Sequence, residues 1–173
     1  MQRSDLMKKE LIIYRHAKSD WDAGVAVDHD RPINAKGIAS AKVMGKLLAM
    51  GDQIPELIIC SSALRAQQTL ENSMELGSWD SVVETQGCLY DESTHHIFTS
   101  QVCNRADDIH RIMLVGHEPK CSTLTSQLIG GGEVQFSTAT MAKIVFNVSR
   151  WSDIHYGMGV LRWLHHPSFF EKW

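Results

Sequence analysis

The 173-residue chain has 43% hydrophobic and 21% charged residues and a formal charge of −3. That balance fits a globular chain long enough for one sizeable core, and it points away from a disordered polymer or a membrane span. Without a basic excess to neutralise many phosphates, it also argues against a nucleic-acid binder.

Residues 1–10 are polar, which predicts a flexible N-terminal segment and no secretory signal, ahead of a single domain over residues 11–173. Cys60, Cys88, Cys103 and Cys121 are widely spaced and lack zinc-site spacing, so the expectation is a reduced, cytoplasmic protein. The adjacent pairs His95-His96 and His165-His166 do not share a helix face, and no metal site is expected from them.

The first element is the run Leu11-Ile12-Ile13-Tyr14, which reads as a strand buried on both faces and delivers Arg15 and His16 at its carboxyl end. Ligands of open α/β sheets gather at such ends. From Lys18 to Asn34 the chain is a polar, proline-punctuated loop. Within it Arg31 reads either as a solvated arginine or as a further substrate contact. Asn34 is a credible cap for a helix whose apolar positions run from Ile38 to Met50 and which ends near Gly51.

Leu57-Ile58-Ile59-Cys60 predicts a second buried strand, with Ser61 or Ser62 capping a helix to about Leu76. Arg65 then falls in the first helical turn, where a cation is disfavoured unless an anion is expected nearby. A weaker strand is predicted over residues 81–85, followed by a polar segment with Ile97, Phe98 and Val102 at helical intervals. Ile112-Met113-Leu114-Val115 is the third strong strand and leads through Gly116 to His117. Pro119 suits the first turn of the next helix, which Gly130-Gly131-Gly132 ends. Strands are expected over residues 141–148 and 156–164, the last antiparallel or at an edge, with Phe169, Phe170 and Trp173 folding back as apolar cover.

Strands alternating with helices imply a mainly parallel sheet, so Arg15 with His16, Arg65 and His117 should meet along one edge. Two guanidiniums and two imidazoles there would make a pocket for a tetrahedral dianion, since a guanidinium can bind two phosphate oxygens at once.

Four ordered blocks, Arg15-His16-Ala17-Lys18-Ser19, Arg31-Pro32-Ile33-Asn34, residues 61–69 from Ser61 to Thr69, and Val115-Gly116-His117-Glu118-Pro119, resemble the histidine phosphatase superfamily. Within it they are similar to the small branch typified by the phosphohistidine phosphatase SixA. The resemblance implies a three-layer α/β/α, phosphoglycerate mutase-like fold, with a central mostly parallel mixed sheet and no large cap insertion. It implies that His16 is a transiently phosphorylated nucleophile and that Arg15, Arg65 and His117 bind the phosphoryl group. Arg31 and Ser19 are further candidate contacts to phosphate or substrate. Ala17 stands where the superfamily usually has glycine, so the backbone there need not adopt a glycine-only conformation.

To attack phosphorus, His16 must be neutral, one ring nitrogen donating to a backbone carbonyl while nearby Arg15 and Arg65 disfavour the imidazolium. The same arginines would attract charge on the equatorial oxygens, so neither metal nor cofactor is expected. Candidate proton donors to the leaving group are Asp91, Glu92 and Glu118. A site without a strong acid favours an imidazole leaving group, and the short span from Arg65 to His117 leaves little room for a cap. The expected partner is therefore a phosphohistidine-bearing protein. The alternatives are a small phosphate ester, or a phosphate-binding module without turnover.

Overall fold

The structure is a computed structural model and describes residues 8–170. Six strands form one sheet: β1 (Lys9–Arg15), β2 (Leu57–Ser61), β3 (Val82–Gln86), β4 (Arg111–Gly116), β5 (Met141–Phe146) and β6 (Val160–His165). Their spatial order is β3-β2-β4-β1-β5-β6. The pairs β3–β2, β2–β4 and β4–β1 are parallel, while β5 and β6 add on antiparallel, giving the mixed sheet expected. β6 is an edge strand, as its alternation suggests.

The sheet is covered on both faces, which is why the central strands are apolar almost throughout. Successive side chains of a strand point to opposite sides. Accordingly Ile12, Tyr14, Ile58, Cys60, Met113 and Val115 pack under α1 (Ala35–Met50) and α2 (Leu64–Gly77). Leu11, Ile13, Leu57, Ile59, Ile112 and Leu114 pack on the other side, under α3 (Cys88–Asp91), α4 (Thr94–Ile97) and α5 (Lys120–Leu128). The result is a three-layer α/β/α sandwich.

Asn34 caps α1 as its sequence predicts, its side chain accepting from the Gly37 amide. α1 and α2 approach closely at Gly45, where a Cβ would lie 2.0 Å from the Ser73 carbonyl oxygen. Ser73 ties the pair to the sheet, its hydroxyl 3.0 Å from that of Tyr14 and donating to the Ala41 carbonyl.

Several expectations shift. β1 starts at Lys9, so residues 9–10 belong to the sheet, and the buried Lys9 ammonium donates to the Asp107 and Ile109 carbonyls. The rest of the predicted flexible segment falls almost wholly outside the described residues. Neither Ser61 nor Ser62 caps α2: its cap position is Ala63, and both serine hydroxyls bond histidine rings instead. Pro119 occupies the cap position of α5 rather than its first turn. The helical segment around Ile97 is short and continues as a wide π-turn over Phe98–Val102, which lets Ile97, Phe98 and Val102 all face the core. Phe170 packs on the body, but Phe169 is 74% exposed and stands largely in solvent. Trp173 lies outside the described residues.

Candidate active site

The carboxyl ends of the adjacent strands β1, β4 and β2 supply His16, His117 and Ser61, and the first turn of α2 brings Arg65 to the same edge. His16, Arg31, Arg65 and His117 are each less than a tenth exposed. They border, with Arg15, Ser19 and Glu118, a cavity of about 510 Å³.

Two contacts fix the His16 tautomer independently. Nδ1 lies 2.7 Å from the Ala17 carbonyl, which can only accept, so Nδ1 carries the proton. On the other side the Arg65 Nε–H, which can only donate, points at His16 Nε2 at 3.3 Å. Nε2 therefore presents a lone pair. Burial is the main cause that pulls His16 down to a pKa of about 4, with Arg65, Arg15 and Arg31 adding to it. Loss of solvent thus outweighs the nearby arginines, on which the sequence alone places the effect.

Ala17 is held by its amide, which donates to Thr69 Oγ1, and Thr69 in turn donates to the Arg65 carbonyl. Its φ is not in the left-handed region, so alanine fits without strain. The His16 and His117 rings lie 5.1 Å apart. His117 Nε2 is 2.8 Å from Ser61 Oγ, and that oxygen also accepts the Ala63 amide. A Ser61 hydroxyl donating to Nε2 leaves the proton on His117 Nδ1. Burial, then the neighbouring His16 and Arg65, lowers the His117 pKa to about 3.

Buried polar atoms are normally partnered, so the exceptions carry information. Among the described residues four such side-chain atoms lack a partner: Arg15 Nε, His117 Nδ1, Glu118 Oε1 and Thr140 Oγ1. Three of the four belong to residues that border the cavity, and two of those are donors. An anion with several acceptor oxygens would suit such donors.

Asp28, in a short 3₁₀ turn of the loop before α1, is the organiser that sequence reasoning missed. Its Oδ1 accepts from Arg31 at 2.6 Å, and its Oδ2 accepts from Arg65 at 3.0 Å and from the Tyr90 hydroxyl at 3.1 Å. Its backbone carbonyl accepts from Arg65 as well. The hydrogen bond from Arg31 is the largest influence holding its carboxyl down to about 2. Arg31 also donates to Ser19 Oγ and lies 3.6 Å from the centre of the Trp21 ring, so the solvated-arginine alternative is set aside. Asp28 sits three residues before Arg31, a spacing that signals a local ion pair but not its second partner on α2.

Of the candidate proton donors, Glu118 borders the cavity, its Oε2 accepting from Ser122 at 2.7 Å. Asp91 and Glu92 stay exposed at the end of α3 and do not border this cavity. Lys18, Lys36 and His166 are further lining residues that the sequence reading did not single out. Among the described residues no group of three His, Cys, Asp or Glu side chains could hold a metal ion. No helix there is long and apolar enough to cross a membrane.

Residues 11–87 match the family model of the histidine phosphatase superfamily, branch 1. An uncharacterized protein of Mycobacterium tuberculosis is 29% identical over 163 residues, covering 88% of this chain and 99% of that protein. Among solved structures, the protein histidine phosphatase SixA complexed with tungstate superimposes with a TM-score of 0.80 at 22% identity, over 92% of this chain and 98% of that one. The mycobacterial glucosyl-3-phosphoglycerate phosphatase superimposes at 0.60 with 15% identity, over 90% and 97% of the two chains.

Proposed function

We propose that the chain, which matches the histidine phosphatase superfamily model over residues 11–87, is a phosphatase in which His16 carries the phosphoryl group in transit and that its substrate is phosphohistidine in a protein. The single observation behind this reading is the state of His16: neutral, its tautomer set from both sides, its Nε2 lone pair facing the Arg65 guanidinium.

In the first step the Nε2 lone pair attacks phosphorus in line, an N–P bond forms, and the bond from phosphorus to the leaving nitrogen or oxygen breaks. The Arg65 Nε–H that rests on Nε2 transfers its hydrogen bond to a phosphoryl oxygen as substrate enters. Arg15, Arg31, Arg65 and the His117 Nδ1–H take the remaining oxygens, and their charge stabilises the equatorial oxygens where charge develops. Water then displaces phosphate from His16 and restores the neutral ring. The guanidiniums do this work without a metal or cofactor.

Glu118 is the proton donor or water-activating base in this scheme, the candidate of the three that borders the cavity. It is a single carboxylate, and an imidazole leaving group needs less protonation than an alkoxide. That supports phosphohistidine over an ester. The same fold also serves a glucosyl-3-phosphoglycerate phosphatase, which keeps a small phosphate ester as the competing substrate. We place the protein in the cytoplasm, in keeping with four unpaired cysteines.

The test compares kcat/KM for a phosphohistidine-bearing protein with that for alkyl phosphates. The expected result is a clear preference for the phosphoramidate; faster alkyl-phosphate hydrolysis rejects it. Labelled phosphate should be trapped on His16, and His16→Ala should lose on the order of a thousandfold or more in kcat. A chain that binds phosphate but is never labelled would be a binding module.

A further inference from the structure

Next to the phosphoryl cavity lies a larger hollow of about 740 Å³, and the two meet at Arg15 and Glu118, which border both. One wall of the hollow is α5, through Ser122, Thr123 and Ser126; the other is the connection from α5 to β5, residues 132–137. The charge reverses across the seam. The phosphoryl cavity is bordered by five lysines and arginines and one carboxylate, Glu118. The hollow has two carboxylates, Glu118 and Glu133, and only the shared Arg15 as a cation.

The connecting segment has the pattern of a strand without a partner strand. Phe136 is buried in the core and Val134 packs against it, while Glu133, Gln135 and Ser137 are exposed, an alternation of period two. Backbone groups need partners wherever water is displaced. The Gly132 carbonyl is taken by Ser126 and the Phe136 carbonyl by Arg15. Among the described residues, however, the amides of residues 133–138 donate to no protein atom. A row of free main-chain donors on a segment anchored by buried side chains is a template for an incoming strand.

We propose that residues 133–137 dock the polypeptide that flanks the phosphorylated residue, as an extended segment paired through its main chain and carrying neutral or basic side chains toward Glu118 and Glu133. The proposal rests on the reading that the substrate is phosphohistidine within a protein. The phosphoryl group enters the cationic cavity, and the chain leading away from it crosses the seam into the acidic hollow. Recognition of the main chain would be tolerant of sequence, with the charge reversal supplying polarity.

The experiment uses two probes: free phosphohistidine, and a nine-residue peptide of alanine, lysine and one phosphohistidine. Gln135→Pro removes an amide from the docking row, and Thr123→Trp fills the hollow from α5; neither touches the phosphoryl cavity. Each should raise KM for the peptide by about tenfold and leave kcat/KM for free phosphohistidine unchanged, which also shows that the variants are folded. On the unaltered protein, N-methylation of the peptide's flanking amides should cost a similar factor. Equal kcat/KM for both probes, insensitive to the variants and to N-methylation, overturns the docking edge while leaving the phosphohistidine reading intact. If the unaltered protein hydrolyses neither probe but does hydrolyse alkyl phosphates, the substrate reading itself has failed and the docking edge falls with it.

Discussion

His16 and His117 are kept neutral by burial before any neighbouring charge acts, and this has a cost that depends on pH. Both have an ordinary value of 6.5, lowered to about 4 for His16 and about 3 for His117 in the folded chain. Between those values and 6.5 the unfolded chain binds protons that the folded chain refuses. Stability is therefore full above about pH 6.5 and falls as pH drops toward the folded values, by a few kcal/mol in order of magnitude for the pair. Urea denaturation from pH 7.5 to 4.5 should show that loss, and His117→Gln should remove about half of it. A slope unchanged by the substitution would mean that His117 is not buried neutral. The pair's identity is legible in the sequence because each follows an apolar strand. Its tautomers are not, since they depend on Ala17, Ser61 and Arg65, which meet the rings only after folding.

At the level of elements, strands and long helices are read well from the chain because their signal is local: unbroken apolar runs for β1, β2 and β4, and Asn34 with helical spacing for α1. What the sequence hides is side-chain assignment at the junctions. Ser61 and Ser62 look like caps because serine commonly caps helices, yet tertiary partners claim both hydroxyls. Asp28 is equally hidden, because its bond to Arg65 spans 37 positions. The closeness of α1 to α2 is likewise set by contact rather than by propensity. Alanine at Gly45 would improve intrinsic helix propensity by about 1 kcal/mol, but its Cβ would collide with the Ser73 backbone, which cannot move aside as a side-chain tip could. Overpacking then wins. Gly45→Ala should destabilise by roughly 3 kcal/mol and lower Tm by about 10 °C, while kcat of the folded fraction stays unchanged. An equal or higher Tm in a thermal melt would show that the two helices separate easily.

Over the whole molecule the formal charge is −3, yet five lysines and arginines border one cavity. A phosphate dianion approaching from a distance meets a protein of its own sign, so capture depends on the local field at the cavity mouth. Arg31 and Arg65 are partly neutralised by Asp28 and are buried, whereas Lys18 and Lys36 are exposed at the rim. Rim charges act through solvent, where the screening length falls from about 30 Å at 0.01 M salt to about 10 Å at 0.1 M. Raising ionic strength over that range with a non-coordinating salt should lower kcat/KM for a dianionic substrate by about tenfold. The chemical step is governed by buried groups that salt reaches poorly, so kcat should change by less than about twofold. Lys18→Gln combined with Lys36→Gln should flatten the salt dependence of kcat/KM and leave kcat in place. If the double variant keeps the full dependence, the field that gathers substrate comes from the buried arginines, and the rim lysines play no part in capture.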